Sequence, residues 1–405
     1  MSKSTFFTGQ PVLNQLLNLI DRNLVNRLAR SGQHDRYCRY FDTYTHLITM
    51  LYCVLNKCTS SREVVSGMQA CSNKLQHTGI RKAPGRSTLC DANGRRSYQV
   101  FEQLYEQLYR RYRQFLPDSR QQFGSKLFIA DSSTITLFQQ ILKASSPGKL
   151  NGKRKGGIKV HTLMDASDDV AVQVSFTAAS ANDMNFLKEI NLESGSFIVF
   201  DKGYVDYSEY QRMDNNGVFF ITRQRKGASY VEIGLNPISE EDNKSGVMAD
   251  RNIIIGTRTH RKQIKLKSRQ ITFFDKEKGR IFEFLTNNFS LSALQIADLY
   301  KKRWQIEILF KRIKQNFPLK YFLGDNENAI KIQIWCAFIA DLLIKLVQVQ
   351  LKRKWAFSNL RTIIRLHLMS YIHLFDFLNN PEKLSATSRR TQQLKLPGLQ
   401  IAFKT

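Results

Sequence analysis

Four side chains near the end of the chain have types and a spacing suited to phosphate and metal chemistry. They are Tyr300, Arg303, Glu307 and Lys314, in the stretch LYKKRWQIEILFKRIK. At about 100° per residue of an α-helix, they fall within roughly a 60° arc. One helix face would then present a phenol, a guanidinium, a carboxylate and an ammonium group together. The alternative is a solvated face with weak ion pairs, common for charges three and four residues apart.

An apolar stripe on the same predicted helix would attach it to a core. The stripe consists of Leu299, Ile306, Leu309, Phe310 and Ile313. Trp304 lies beside the charged arc, where it could stack on nucleic acid. A tryptophan on a helix is more often part of the core, and that is the interpretation we favour from sequence.

Two more carboxylates close apolar segments that are typical of buried strands. Asp131 ends LFIAD and Asp201 ends FIVFD, and sites of α/β proteins lie at such strand ends. Either aspartate alone could simply cap a turn. With Glu307 they make three carboxylates, which repel one another unless cations share the site. Oxygen ligands favour Mg²⁺, with Mn²⁺ as a substitute, over zinc.

Two such metal ions, about 3.5 to 4 Å apart, can activate a water or a 3′-hydroxyl and stabilise the leaving oxygen at a phosphodiester. The predicted chemistry is therefore metal-dependent phosphoryl transfer on a nucleic-acid backbone. The charge of the chain agrees, because 405 residues carry a formal net charge of +27. A polyanion is the natural partner of so basic a protein, with nucleic acid the first candidate and an anionic membrane surface the second.

Membrane insertion is disfavoured by the longest apolar run, residues 334–344, which contains Asp341 and is too short to span a bilayer. The N-terminal residues lack a basic leader followed by an unbroken apolar segment, so no secretory signal is predicted and a cytoplasmic location is expected. The six cysteines include no Cys-x2-Cys pair. Zinc binding with nearby histidines is conceivable, but free thiols in a reducing cytosol are favoured.

Periodicity predicts an α/β fold with a mixed sheet and flanking helices, preceded by an all-α N-terminal domain. In that domain, a short helix, a turn and a basic helix could form a helix-turn-helix-like DNA reader or part of an ordinary bundle. The predicted regions are a helical DNA-binding domain (1–120), a first catalytic segment (121–227), a β-rich insertion (228–290), a second catalytic segment (291–350) and a basic helical tail (351–405).

Over nearly its whole length the chain resembles the DDE transposases of bacterial insertion sequences, specifically insertion-sequence family four with its YREK signature. The matching parts are Asp131 in IADSSTI, Asp201 in FDKGY, Glu307 within the Tyr300, Arg303, Glu307 and Lys314 set, and the N-terminal helical region. The resemblance implies an RNase H-like catalytic fold with a β-rich insertion before the glutamate. It also implies that Asp131, Asp201 and Glu307 are the catalytic residues and bind the metals.

The same resemblance implies that Tyr300, Arg303 and Lys314 position phosphates at the transposon end. In similar enzymes this face also handles a hairpinned DNA intermediate. No aromatic residue for holding a flipped base is singled out by the resemblance. The unranked candidates are Phe219, Phe220, Phe273 and Phe274.

Two basic segments are predicted to contact DNA. The first is a glycine-containing loop whose basic residues are Lys143, Lys149, Lys153, Arg154, Lys155 and Lys159. The second is KQIKLKSRQ in the insertion, where Lys265, Lys267 and Arg269 alternate with apolar residues and would form one basic strand face. Arg223 and Arg225 could extend this track, and His161 is a secondary candidate that we expect to be a surface residue without a role.

The predicted function is cut-and-paste transposition: binding of terminal inverted repeats, then metal-dependent cleavage and joining of strands. The partners are double-stranded DNA, at the transposon ends and at the target, and a second copy of the chain in a dimer on DNA. One alternative is a metal-dependent nuclease of the same fold that cleaves without joining. The other is a catalytically silent DNA-binding derivative.

Overall fold

The computed structural model describes residues 9–118, 120, 124–136, 149–150, 153–154, 157–256 and 264–382. The N-terminal part is helical, as expected, with 3₁₀ turns at Gln76–Thr78 and Arg113–Phe115. Its described helices are α1 (Val12–Leu17), α2 (Arg22–Ser31), α3 (Thr43–Asn56), α4 (Ser61–Ala70), α5 (Ser72–Leu75), α6 (Arg86–Arg95) and α7 (Gln99–Tyr112).

The central element is a mixed sheet of nine described strands, in the order β5-β4-β1-β6-β7-β11-β10-β9-β8. The strands are β1 (Leu127–Thr136), β4 (Gly157–Asp165), β5 (Ala171–Ala178), β6 (Phe197–Phe200), β7 (Phe219–Arg223), β8 (Tyr230–Leu235), β9 (Val247–Ile255), β10 (Leu266–Asp275) and β11 (Arg280–Thr286). Strands β2 (Lys149–Leu150) and β3 (Lys153–Arg154) pair separately as a short antiparallel ladder.

The first five strands of the sheet have the RNase H-like arrangement that was predicted. Strands β5, β4 and β1 are antiparallel neighbours, and β6 and β7 continue the sheet parallel to β1. Helices cover both faces because alternate side chains of each strand point to opposite sides. Three of these helices are α8 (Met184–Glu189), α9 (Tyr207–Asn215) and α13 (Glu327–Gln350). In β6, for example, Val199 belongs to the core cluster that includes α7 and α13, whereas Phe200 packs with α8 and α9 on the other face.

Strand register explains why two distant aspartates meet. Ala130 of β1 pairs with Phe200 of β6 in parallel register, so Asp131 and Asp201 follow at the same level of the sheet. Strand β6 ends just before Asp201, as predicted. Strand β1 was expected to end at Asp131. It instead continues to Thr136, because β4 pairs with it from Phe128 to Thr136.

The β-rich region between β7 and the glutamate helix extends the same sheet. Strand β11 pairs antiparallel with β7, and β10, β9 and β8 follow outward. Helix α10 (Glu240–Ser245) lies within this region. The inserted strands are therefore anchored directly on a catalytic-core strand, because β7 has a free edge that β11 satisfies with hydrogen bonds.

The C-terminal part consists of α11 (Ala293–Lys301), α12 (Trp304–Asn316), α13, α14 (Phe357–Leu366) and α15 (Leu374–Asn379). Helix α13 is the one described helix that is long and apolar enough to cross a membrane, but 83% of that window is buried inside the protein. It contacts α3, α6, α7 and α14. The N-terminal helices thus share a core with the catalytic half, and the apolar composition of α13 reflects that central position.

Candidate active site

The segment that carries the four charged and aromatic side chains is two helices rather than the single helix predicted. Helix α11 ends at Lys301 and α12 begins at Trp304. Between them the backbone stays helical in its angles, but the amide of Arg303 bonds to the carbonyl of Tyr300, three residues back, instead of four. This tightened 3₁₀ turn separates α11 from α12. The side chains of Tyr300, Arg303 and Glu307 nevertheless converge.

Arg303 links two of the three carboxylates. Its Nη1 lies 2.9 Å from Oδ2 of Asp131, and its Nη2 lies 2.6 Å from Oε1 of Glu307. The Arg303 side chain is only 16% exposed, so these charge-assisted bonds form largely out of water. Strand β1 and helix α12 are therefore joined at the site through one guanidinium.

The third carboxylate, Asp201, has its own arginine. Nη2 of Arg223, at the end of β7, lies 2.6 Å from Oδ1 of Asp201. The hydroxyl of Tyr300 donates to the same oxygen at 3.4 Å. The Tyr300 ring is buried against Phe284 of the inserted strands, with ring centroids 4.8 Å apart. The sequence predicts Arg223 only as an extension of the basic track, because its pairing with Asp201 depends on the parallel alignment of β6 and β7.

The two aspartates have opposite electrostatic environments. Burial raises the pKa of Asp131 to about 6, and the neighbouring charges of Asp201 and Glu307 add to this effect. For Asp201, burial also acts to raise the pKa, but the hydrogen bond and charge of Arg223 outweigh it and hold the pKa below its usual value. A raised pKa means that the positive charge around the buried carboxylate is too small to stabilise its ionised form. A bound cation would supply that charge.

Lys314 reaches the same end of β1 from the last turn of α12. Its Nζ donates to Oγ of Ser133 at 2.7 Å and to the carbonyl of Thr134 at 2.9 Å. The apolar stripe of α12 is buried as predicted: Ile306 and Leu309 are at most 1% exposed. This packing presses α12 onto β1 and orients its charged face toward Asp131.

A fourth carboxylate, Asp183, was missed by sequence reasoning. Its Oδ1 accepts a hydrogen bond of 2.9 Å from Oγ of Ser132, the residue after Asp131, and lies 3.0 Å from Nζ of Lys159. Lys159 also donates to the carbonyl of Ala181 and is 14% exposed. It is therefore held inside the protein by these partners, and we do not propose it as a direct phosphate contact. The only sequence signal for Asp183 was its place before a short helix.

His161 is not the surface residue that was expected. It is 1% exposed, its Nε2 lies 2.7 Å from Oγ1 of Thr177, and its ring stacks on Phe186. Burial lowers its pKa to about 4. Strand β4 is covered by β1, β5 and α8 at this point, which a single sequence does not reveal.

The basic residues of the predicted strip in the insertion differ in their exposure to solvent. Lys265 and Lys267 are exposed, and Nζ of Lys267 lies over the ring of Phe289 at 5.3 Å. Arg269 is 5% exposed, its Nε bonds to Oδ1 of Asp250 at 2.8 Å, and its Nη1 bonds to the carbonyl of Leu291. The segment before α11 covers that part of β10 and Arg269 is held by these partners, so we do not propose it as a direct DNA contact.

The glycine-containing loop lies largely outside the described residues, including Lys143 and Lys155. The backbone of Lys149, Lys153 and Arg154 is described, in the β2–β3 ladder.

The prediction that Trp304 is part of the core is wrong: this side chain is 59% exposed. It lines a cavity of about 270 Å³ between the inserted strands and the α11–α12 turn. Among the candidates for a flipped base, Phe273 lines the same cavity.

The donor set fits a divalent cation by its chemistry, since three carboxylates meet and the most buried one has a raised pKa. Among the described residues, no group of three or more His, Cys, Asp or Glu side chains is already arranged as a metal site. The carboxylates are instead paired with Arg303 and Arg223. These arginines would have to release the carboxylate oxygens before a metal could bind them.

An RNase H-like sheet whose two central strands bring Asp131 and Asp201 together with a glutamate from a packed helix defines a class of nucleic-acid-processing protein. A family model described as the transposase DDE domain matches residues 122–343. The chain belongs to that family and is a DNA transposase, whose DDE domain uses divalent metal ions. A second model, described as a domain of unknown function, matches residues 8–81.

Curated relatives agree with this family. A protein of Sinorhizobium fredii named as a transposase is 32% identical over 266 residues, 65% of this chain and 72% of its own length. A protein of Geobacillus stearothermophilus, named as a transposase for insertion sequence element IS5377, is 26% identical over 62% of this chain and 63% of its own. Among solved structures, a piggyBac transposase synaptic complex with hairpin DNA aligns over 98% of this chain and 86% of that chain. Its identity is 11% and its TM-score 0.44, too low to support an argument.

Proposed function

We propose that this transposase binds the terminal inverted repeats of its insertion sequence and cleaves and joins DNA strands in cut-and-paste transposition. The observation that supports this most directly is the convergence of Asp131 in β1, Asp201 after β6 and Glu307 in α12. Arg303 bonds to Asp131 and Glu307, and Arg223 bonds to Asp201. Three carboxylates from separate elements have no structural need to meet, and their repulsion must be offset by cations.

Asp131, Asp201 and Glu307 would hold the divalent metal, Mg²⁺ in our proposal with Mn²⁺ as a substitute. When bound, such ions activate the attacking oxygen and stabilise the leaving oxygen of the phosphodiester. Metal binding would also change the role of Arg303. Arg303, released from Asp131 and Glu307, is free to bind a phosphate, and its planar fork suits bidentate contact with phosphate oxygens.

Tyr300 and Lys314 border this site at different strands, Tyr300 next to Asp201 after β6 and Lys314 next to β1. The Tyr300 hydroxyl lies against Asp201, and burial raises the pKa of Tyr300 to about 12, so it remains a neutral hydrogen-bond donor at physiological pH. Lys314 lies at the far end of α12, next to Ser133. We propose that the two side chains orient the DNA strand at the scissile phosphate.

Further DNA contacts would come from the exposed Lys265 and Lys267 and from the basic loop with Lys153, Arg154 and Lys155. Contacts of this kind are insensitive to sequence, and the affinity they confer falls steeply with salt. We also propose that the protein acts as a homodimer on DNA, because two transposon ends must be brought together. We propose a bacterial cytoplasmic location, with association to the nucleoid when DNA is bound. We propose no membrane partner.

The test compares wild-type protein with Asp201→Asn on duplexes that carry the transposon end, with Mg²⁺. We expect Asp201→Asn to abolish cleavage but to bind the end within a few-fold of wild type, because the cationic side chains that contact DNA are retained. The matched control is Glu106→Gln on the exposed face of α7, which should cleave normally. Cleavage that survives in Asp201→Asn would refute the site assignment.

A strand-transfer assay with pre-cleaved ends separates the competing functions. Joined products support transposition. Cleavage without joined products would indicate a nuclease of the same fold, and binding without either reaction would indicate a silent DNA-binding derivative. The intact set of three carboxylates favours the first outcome.

A further inference from the structure

A large open cleft in the N-terminal helical part is remote in sequence from the catalytic residues. It has a volume of about 970 Å³ and lies between the α2–α3 loop and the segment from Gly79 to Arg96. Basic side chains dominate its lining: Arg22, Arg39, Arg81, Lys82, Arg95 and Arg96. The acidic side chain in the lining, Asp42, is already engaged, because its Oδ1 caps α3 by accepting from the amide of Thr45 at 2.7 Å. Arg95 and Arg96 are paired with Asp91 and Asp35, and the other four cations leave the cleft net positive, which favours a polyanionic ligand.

Two tyrosines in the cleft lining are almost fully exposed. Tyr37 is 88% and Tyr40 is 90% exposed, and both lie on the α2–α3 loop. The guanidinium of Arg36 lies over the Tyr37 ring at 5.0 Å. Tyr37 also has a φ of 63°, a left-handed conformation that costs free energy for a residue with a side chain. Large exposed aromatic rings among cations are typical of surfaces that contact nucleic acid through both phosphates and sugars or bases.

The loop that carries these tyrosines is fixed to the end of α6 by a partly buried ion pair. Arg96 is 4% exposed, and its Nη2 lies 3.2 Å from Oδ1 of Asp35 and 2.7 Å from the carbonyl of Phe41. The same Asp35 oxygen accepts from the amide and the hydroxyl of Thr43 at 2.7 and 2.8 Å. Both ends of the tyrosine segment are thus held, so that little ordering entropy would be lost on binding.

The cleft is also tied to the catalytic half. Nδ2 of Asn328, in the first turn of α13, donates to the carbonyls of Asn93 and Arg96 at 2.8 Å each. Its Oδ1 accepts from the amide of Tyr98 at 2.9 Å. A ligand in the cleft would therefore be held in a defined position relative to the helix that follows α12.

We propose that this cleft binds the duplex DNA of the transposon end, with Arg39, Arg81 and Lys82 on its phosphates and Tyr37 and Tyr40 against its sugars or base edges. The inference rests on the proposed function for the identity of the DNA. It places end recognition on the α2–α3 loop and the segment before α6, rather than on a recognition helix alone.

The test measures the affinity of three proteins for a labelled duplex of the element's own end, for a scrambled duplex and for the corresponding single strand. All carry Asp201→Asn so that no cleavage intervenes. The first has no other change, the second adds R81A/K82A, and the third adds R27A/R62A. Arg27 and Arg62 are exposed in the same helical part but lie outside the cleft lining, so the third protein loses equal charge elsewhere.

For R81A/K82A we expect affinity for the end duplex to fall about tenfold or more. The slope of log affinity against log salt should decrease by about 1 to 2, as for loss of one or two phosphate contacts. The control R27A/R62A should bind within about twofold of the parent. Unchanged binding by R81A/K82A, or an equal loss in the control, would overturn the proposal. Tighter binding of the single strand than of the duplex would also overturn it.

A second measurement needs no substitution in the cleft. The amine of Lys82 is exposed and should be acetylated readily in the free protein but protected by the end duplex, whereas Lys74 on α5 should react equally in both. Lack of protection at Lys82 would refute duplex binding in the cleft. Duplex affinity and Lys82 protection both measure binding and do not require catalysis. A protein that binds the end duplex but neither cleaves nor joins DNA would therefore refute the proposed reaction and not the proposed DNA-binding cleft.

Discussion

At the scale of single residues, Arg303 decides the state of the candidate site. It neutralises Asp131 and Glu307 at once, so a divalent cation must compete with it for both carboxylates. A DNA phosphate that attracts the same guanidinium would remove this competition. Metal binding and DNA binding are therefore expected to favour each other.

The first prediction concerns metal affinity without DNA. Arg303→Gln removes the cation that competes for the carboxylates, and Mn²⁺ should bind the free protein on the order of tenfold more tightly. A tenfold change corresponds to the free energy of about one pKa unit. Binding of the end duplex should weaken. Isothermal titration measures the first quantity, with Arg110→Gln on the exposed face of α7 as the control. Weaker Mn²⁺ binding in Arg303→Gln would show that the arginine supports the metal rather than competing with it.

The second prediction uses the opposite pKa shifts of the two aspartates. The folded-state pKa of Asp131 is about 6, above its unfolded value of 3.8, so its stabilising effect is present at low pH and is lost as pH rises through 6. Asp131→Asn should therefore raise the free energy of unfolding at pH 7.5 by about 1 to 3 kcal/mol. At pH 4 this gain should largely disappear.

Asp201 provides the matched comparison. Its pKa is lowered in the folded state, chiefly through Arg223 against the effect of burial, so its contribution to stability is present above the unfolded pKa and is lost on acidification. Asp201→Asn should destabilise the protein at pH 7.5. Urea unfolding at both pH values measures the two variants, and the same sign for both at pH 7.5 would contradict the assigned environments.

At the scale of elements, the position of Glu307 depends on how α12 is attached. Its apolar stripe packs on the core, and a buried ion pair joins it to α13: Nε and Nη2 of Arg312 each lie 2.9 Å from a carboxylate oxygen of Asp341. The two side chains are 10% and 3% exposed. The acidic residue that interrupts the longest apolar run is thus the partner of the catalytic helix.

The third prediction follows from this pair. Asp341→Leu leaves a buried guanidinium unpaired and should cost about 3 to 5 kcal/mol of stability, whereas the double variant Arg312→Met with Asp341→Leu should recover most of that loss. Urea unfolding of the two single variants and the double variant gives the coupling energy. Additive losses in the double variant would mean that the two groups are not coupled.

At the scale of the whole molecule, one large core joins the N-terminal helices to the catalytic half through α13. Asn328 completes this connection by satisfying two carbonyls at the end of α6, where helix carbonyls lack partners of their own. End binding and cleavage would then be mechanically linked through α13, because the cleft and α12 are both attached to it.

The fourth prediction tests that link. Asn328→Ala should bind the end duplex within a few-fold of wild type but cleave it more slowly, and should lose about 1 to 3 kcal/mol of stability because buried backbone groups are left without partners. The control is Asn359→Ala, an exposed position on α14. Single-turnover cleavage at saturating protein measures the effect, and an unchanged rate in Asn328→Ala would argue against coupling.

Local patterns in the chain were sufficient for several features. The strand ending at Asp201, the buried stripe of Ile306 and Leu309, the mixed sheet and the β-rich insertion all follow from periodicity of 2 or 3.6 residues and from apolar runs. The three carboxylates could be selected by type and by resemblance. These features depend on neighbours within a few residues, which a single sequence contains.

Tertiary structure alone decided the features that depend on distant segments. Strand β4 extends β1 past Asp131, the inserted strands leave Trp304 exposed beside a cavity, and the segment before α11 buries Arg269. The pairings of Arg223 with Asp201 and of Asp183 with Lys159 join segments that are distant in the sequence. Whether a charged side chain meets DNA, a metal or another side chain is set by what covers it, and covering elements come from elsewhere in the chain.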